Sequence, residues 1–326
     1  MKKVFLAADL GGTNLRLAAV DSDGLVVFRS RKVTPSGGSQ ADIVATIYAA
    51  IDECRKELAG DYEFLAFGAA VPAIVNSNEG VIFRSPNLAE LNGLRFAEVF
   101  SKELSIPVVL ENDANAAAVG ERWKGASQGV RNSIHVTLGT GVGGGLIVEG
   151  ELVRGIDGTA GEIGHIAVEP EGHPCGCGSR GCVEQYSSAT AIVRLAKELM
   201  PVYPESTLRS SIDLTPLDVY NSGMSGDKLS VEVFRLAGTY LGIALGGLVN
   251  VLNPEAIVIG GGVSAGWELF IGPLKAEIGR RAFPHPAERV RLMRSELGDD
   301  AGILGAAFLA SDRIEKSGRH LARQQV

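Results

Sequence analysis

An apolar run, a glycine-rich break and a second apolar run occur twice in this chain, and few folds accommodate that repeat. The first copy reads Val4 to Asp9, Gly11-Gly12, then Leu15 to Val20; the second reads Ser133 to Leu138, Gly139 to Gly145, then Leu146 to Glu149. Short apolar runs between glycine turns are strand signals. Each copy continues into a third strand, Leu25 to Val33 and Glu151 to Val153, so each is a meander. Around them lie helical spacings at Ile43 to Leu58 and Ala114 to Trp123, with strands at Phe64 to Val71 and Pro107 to Leu110. Further helical patterns follow at Ala189 to Met200 and Leu229 to Leu252, then a strand at Ala256 to Ile259, a Gly260-Gly261-Gly262 turn and another helix. A last apolar helix, Ala301 to Ala310, precedes a polar tail. A repeat of this length is a duplicated domain plan rather than a solenoid, and 326 residues suffice for two α/β domains. The boundary falls near Asp113 to Ala116.

A net charge of -7 repels phosphate backbones and argues against a nucleic-acid partner. The opening Met1-Lys2-Lys3 and the short apolar run before Asp9 lack the features of a signal peptide, so the expected location is cytoplasmic. Leu236 to Pro254 is uncharged, with Gly238, Gly242 and Gly246 on one helical face. That spacing suits a membrane helix pair, but a core helix whose glycine face admits a close neighbour explains it as well, and no membrane association is expected.

Glycine turns expose consecutive N–H groups that can cradle phosphate. Three such turns occur, at Gly11-Gly12-Thr13, Gly139 to Gly145 and Gly260-Gly261-Gly262. Gly139, Gly141 and Gly144 satisfy G-x-G-x-x-G, but a strand rather than a helix follows, which argues against a dinucleotide fold. No glycine precedes a lysine, so there is no P-loop. Gly262-Val263-Ser264-Ala265-Gly266 matches a hydrolase nucleophile elbow, with Asp299 and His320 following in order, yet His320 sits in the polar tail and no oxyanion segment accompanies it. Asp9 ends a strand where a carboxylate can hold hydrated Mg²⁺ beside phosphate, or simply cap the bend. Glu111-Asn112-Asp113-Ala114-Asn115 leads into a helix. One of these residues could serve as the cap, but four polar side chains in five positions form a cluster suited to reading hydroxyl groups.

Together Asp9-Leu10-Gly11-Gly12-Thr13, Glu111 to Asn115, Leu138 to Gly145, Gly161-Glu162-Ile163-Gly164-His165 and Cys175 to Glu184 resemble the ROK family of sugar kinases and sugar-responsive repressors. The resemblance spans nearly the whole chain and is greatest to the members that phosphorylate glucose. It implies a two-domain, actin-like ATPase (ribonuclease-H-like) fold, with residues 1–114 and 297–326 in a smaller domain, 115–296 in a larger one, and ATP and sugar in the cleft between. It implies Asp113 as the general base on the sugar 6-hydroxyl and Asn87, Asn112, Glu162, His165 and Glu184 as sugar contacts. Gly11, Gly12, Thr13, Gly139 and Thr140 match the phosphate loops, Gly261 and Gly262 the adenosine side, and Asp9 the Mg²⁺ organiser. One departure is Ala73 after Val71-Pro72, where the family commonly has glycine. The resemblance also suggests a homodimer or homotetramer.

Cys175, Cys177 and Cys182 fall within eight residues, a soft-ligand cluster suited to structural Zn²⁺. His165 and His173 compete as fourth ligand. The family motif favours His165, whose other ring nitrogen would then face the sugar. Cys54 reads as a core thiol. The readings thus reduce to an ATP-dependent hexose kinase, a sugar-sensing repressor and a serine hydrolase. A repressor would need a DNA-binding segment ahead of Asp9, so the expectation is the kinase. Mannose, fructose or N-acetylmannosamine as acceptor and polyphosphate as donor stay open.

Overall fold

The computed structural model describes the backbone of residues 1–324 and side chains to residue 317; the end of the tail and the His320 side chain lie outside the described residues. β1 (Lys2–Leu10), β2 (Asn14–Asp21) and β3 (Val26–Val33) form the first meander. They are followed by α1 (Gln40–Glu57), β4 (Tyr62–Val71), a hairpin of β5 (Ile74–Asn76) and β6 (Val81–Arg84), α2 (Phe96–Leu104) and β7 (Val108–Asn112). α3 (Asp113–Lys124) leads to the second meander, β8 (Ser133–Leu138), β9 (Val142–Val148) and β10 (Glu151–Leu152). Then come α4 (Glu184–Ser187), α5 (Ala189–Leu199), α6 (Pro216–Met224), α7 (Lys228–Leu252), β11 (Ala256–Gly260), α8 (Trp267–Arg281), α9 (Pro284–Arg289), β12 (Arg291–Arg294) and α10 (Ala301–Gln324).

The duplication is explicit in the sheets, ordered β3-β2-β1-β4-β7 and β10-β9-β8-β11-β12. In each, the meander is antiparallel and the two remaining strands run parallel to its first strand. This is the plan of the actin-like ATPases. Each sheet carries its own apolar core. The two glycine hairpins, β1–β2 and β8–β9, therefore hold equivalent positions.

Two expectations change. The second glycine break is shorter, because β9 begins at Val142 and takes in Gly143, Gly144 and Gly145. These glycines let other segments lie against the strand: a Cβ at Gly143 would sit 2.8 Å from the Ala114 methyl, and one at Gly145 2.6 Å from that of Ala118. Missing side chains in a strand thus seat α3 on the second sheet. The final helix also runs past Ala310 to Gln324, so the polar tail is helical. In α7 the glycine face is used inside the fold, since side chains at Gly238 and Gly242 would strike α8 at Phe270 O (2.3 Å) and Leu274 O (2.7 Å).

α10 returns to cover the first sheet, packing Ile303, Ala306, Ala307 and Ala310 against Phe5, Ala7 and Ala66. α3 lies between α10 and the second sheet. Both chain crossings between the sheets meet on one carboxylate: Glu121 of α3, fully buried, accepts from Ala126 N (2.8 Å) on the way out and from Leu297 N (2.9 Å) and Ser295 Oγ on the way back. The α3–α10 contact is backbone to backbone, with a Cβ at Gly305 falling 1.7 Å from Ala116 O. Helix propensity alone would make Gly305→Ala stabilising by about 1 kcal/mol, but that overlap cannot be relieved by a rotamer. The expected outcome in urea unfolding is a net loss of about 3 kcal/mol; an unchanged midpoint would mean that α10 can withdraw from α3.

Candidate active site between the two sheets

β1 is buried over most of its length and carries Asp9 one residue before its end, beside Ala70 of β4 and Arg16 of β2. The Asp9 carboxylate lies 3.5 Å from Arg16 Nη1 and under the first turn of α10, where a Cβ at Gly302 would reach within 3.2 Å of it. Burial pushes its pKa up to about 6 against the pull of Arg16. Among the described residues no backbone N–H reaches this carboxylate, so it does not cap the bend. The loop is shaped instead by backbone bonds and Thr34: Gly11 N donates to Asn14 O (2.8 Å), and Thr34 bonds Gly11 O and Thr13 O. The N–H groups of Gly12 and Thr13 make no hydrogen bond among the described residues.

At the equivalent hairpin, Gly139 N donates to Gly141 O (2.9 Å), and the carbonyls of Gly139 and Thr140 receive Ala189 N and Thr190 Oγ1 at the start of α5. Gly261 adopts φ +82°, and a Cβ there would lie 2.4 Å from Leu138 O, so Gly261 and Gly262 sit at the end of β11 next to Gly139. A cleft of about 610 Å³ opens beside Thr140 along Thr190, Val193 and Lys197. The Ser264 hydroxyl donates to Gly261 O, and Asp299 is paired with Arg16. The nucleophile-elbow residues are thus engaged separately, with no serine triad built from Ser264 and Asp299.

Asn112 caps α3, its Oδ1 accepting from Ala114 N (2.9 Å) and Asn115 N (3.1 Å). Asp113 is thereby relieved of the capping position and stands in the first turn, where its own contact is with Ala114 N (2.9 Å). Burial, and then the charge of Asp9, push its pKa up to about 7, with Glu162 adding to the effect. The charges of Asp9 and Glu162, from two other segments, thus both act on Asp113. Asn112 Nδ2 donates to Ala73 O (3.3 Å). Ala73 keeps φ outside the left-handed region and buries its methyl in the first core, so this position has no need of glycine. Ser85 Oγ donates to Pro72 O and receives Leu88 N, which brings exposed Asn87 alongside Gly12. The cluster at 111–115 is only half available to a ligand. Glu111 and Asn115 are buried and bonded to each other (3.0 Å), and Glu111 also pairs with Arg154 (2.7 Å).

A string of side chains runs from Glu162 to the second hairpin. Glu162 Oε2 is 3.9 Å from His165 Nε2, His165 Nδ1 is 3.5 Å from Cys175 Sγ, and Cys175 Sγ is 4.0 Å from Glu184 Oε1. Glu184 Oε2 in turn accepts Val142 N (3.0 Å), and Gly141 leaves room for it. His165 Nδ1 and the sulfurs of Cys175, Cys177 and Cys182 lie within 4.8 Å of one another. Three thiols and an imidazole at this spacing are the donor set of a closed tetrahedral zinc site. A hydrogen bond from the backbone at Ser179 lowers the pKa of Cys177, while burial pushes that of Cys182 up to about 12. His173 is engaged elsewhere, its Nε2 accepting from Arg194 (2.6 Å). Cys54 is a core thiol, as expected.

Sequence reasoning missed Arg154 as the partner of Glu111 and Glu121 as the junction of the crossings. A buried acid needs a counter-charge or donors, but only the fold says which.

The ROK family model matches residues 5–313. A glucokinase of Halalkalibacterium halodurans is 36% identical over 95% of both chains. Among solved structures, a ROK family glucokinase from Streptomyces griseus in complex with glucose and AMPPNP superposes with a TM-score of 0.80 at 34% identity, covering 95% of this chain and 99% of that one. A ROK family transcriptional regulator superposes with a TM-score of 0.87 at 28% identity, covering 94% of this chain and 77% of that one. On this match, and on the duplicated sheets with their paired glycine hairpins, the chain belongs to the ROK family.

Proposed function

We propose that the chain is an ATP-dependent hexokinase that transfers the γ-phosphoryl group to the 6-hydroxyl of glucose. The observation that carries this reading is Asp113: freed from capping by Asn112, held near neutral pKa, and facing both the Asp9 hairpin and the Glu162–His165 string. Likeness to glucokinases, one of them bound to glucose and AMPPNP, supports the same substrates.

Asp113 takes the proton of the 6-hydroxyl as that oxygen bonds to the γ-phosphorus. The bond from the γ-phosphorus to the bridging oxygen breaks, and ADP leaves with that electron pair. Phosphoryl transfer asks little more of a protein than this base, alignment and charge stabilisation. Asn87, Asn112, Glu162, His165 and Glu184 hold the remaining hydroxyls, since carboxylates and amides match their paired donors and acceptors. The Gly11-Gly12-Thr13 and Gly139-Thr140 loops border the phosphates, to which Gly12, Thr13 and Thr140 offer N–H groups, and Gly261 with Gly262 borders the adenosine. Asp9 suits Mg²⁺, being a part-buried carboxylate opposed by a single guanidinium; bound there, the ion would offset phosphate charge. His165, Cys175, Cys177 and Cys182 would hold a structural zinc, which would fix the His165 ring and leave Nε2 free for the sugar. A cytoplasmic setting supplies ATP and keeps the thiols reduced.

Approach of the lobes, 1–114 with 297–326 and 115–296, would bring the Gly11–Thr13 and Gly139–Thr140 loops onto one ATP and expel water from around it. The test pairs X-ray scattering with ADP release across a hexose panel. Glucose is expected to shrink the radius of gyration and to raise ADP release far above the sugar-free rate. Sugar binding without sugar-dependent ADP release would favour the regulator reading, which the regulator superposition motivates.

A further inference from the structure

We propose that Arg154 is a positioning residue for this reaction: acting through buried Glu111, it sets where the proton acceptor Asp113 stands relative to the sugar-holding segment Gly161–Glu162. The inference rests on the kinase reading above.

Glu111 lies at the end of β7 with its side chain only 1% exposed. A carboxylate there is costly unless it is paired and hydrogen-bonded. Oε1 receives the backbone N–H of Asn112 and the Nδ2 of Asn115, both at 3.0 Å. These residues flank Asp113, and Asn112 also caps its helix, so the Glu111 carboxylate anchors the turn that carries the base. Oε2 receives Arg154 Nε at 2.7 Å. Arg154 belongs to the other half of the molecule, following β10 of the second sheet. The ion pair therefore ties the first sheet to the second beside the cleft.

Arg154 is bound to the sugar-holding segment as well. Its carbonyl accepts Ala160 N (3.1 Å), closing the loop that ends in Gly161-Glu162. That loop is seated on fixed backbone: Gly158 at φ +87° would drive a Cβ to 2.2 Å from Val75 O, and Gly161 at φ +91° to 3.0 Å from Gly144 O. Among the described residues the one buried side-chain polar atom of this network without a hydrogen-bond partner, Asn115 Oδ1, lies on the side of Gly161, 3.7 Å from where a Cβ there would be. A single residue thus bonds, by side chain and by backbone, to the two segments whose separation decides whether the 6-hydroxyl meets Asp113 while Glu162 holds the ring. A displacement of about 1 Å at such a site can cost on the order of a hundredfold in rate.

The experiment compares wild type, Arg154→Met, Arg154→Lys and the double variant Glu111→Gln/Arg154→Met by steady-state kinetics, melting temperature and zinc content. Arg154→Met is expected to lower kcat/KM for glucose at least about tenfold, with KM for ATP and zinc content unchanged; Arg154→Lys should recover part of the loss. Arg154→Met leaves Glu111 unpaired and can destabilise the chain for that reason alone. The double variant removes the stranded charge. It should melt close to wild type yet keep the low kcat/KM for glucose, because the tie is still missing. If the double variant, or Arg154→Met itself, phosphorylates glucose like wild type, the positioning role is overturned while the kinase reading stands. If wild type releases no sugar-dependent ADP, the kinase reading falls and this inference falls with it.

Discussion

Asp113→Asn is expected to fold, to bind glucose and to lose at least about a hundredfold in kcat, the effect of removing a general base. The same substitution should raise the melting temperature at neutral pH. Burial and the neighbouring Asp9 charge take the Asp113 pKa from 3.8 to about 7 in the folded chain. Between those values the folded chain holds a proton that the unfolded chain has released, so stability from this group falls as pH rises from about 4 to 7 and stays lost above. Asparagine has no charge to bury, and the gap between variant and wild type should close on acidification. In wild type, kcat/KM for glucose should rise with pH to a plateau above about 7, as the base deprotonates. Near wild-type turnover in Asp113→Asn would reduce the residue to a part of the α3 turn.

One zinc per chain is the second large expectation, measured by elemental analysis after exchange into metal-free buffer. Cys177→Ser should lose the metal and raise KM for glucose by about tenfold or more, the scale seen when a group that orients a ligand is removed. KM for ATP should move less than KM for glucose, because the side chains beside the thiols, His165, Glu162 and Glu184, are all sugar contacts in this reading. Protein that holds no zinc, or a serine variant with unaltered metal content and glucose KM, would falsify the site.

The duplicated plan, both hairpins and the thiol cluster were legible because each is local: alternation, glycine turns and cysteine spacing act over a few residues. The role of Asp113 was half legible. Its place at a strand end was visible, but Asn112 and Asp113 are equally good caps by chemistry, and only the backbone angles choose Asn112. Glu111 and Asn115 read as part of a cluster suited to hydroxyl groups for the same reason, since polarity in sequence does not distinguish a side chain aimed into a cleft from one aimed into an interior. Gly143 and Gly145 read as a turn because their reason for being glycine is α3, which lies earlier in the chain and packs on them only in three dimensions.

The return of α10 to the first sheet bears on how the chain is made. Phe5, Ala7 and Ala66 are synthesised early, yet the helix that covers them comes from residues 301–310. Throughout translation of the second sheet, that apolar face of the first waits without its cover, while the second can complete its core from contiguous chain. The cover of the first sheet is therefore made only after the whole of the second, and an apolar face left open in the meantime is the kind of surface on which nascent chains aggregate.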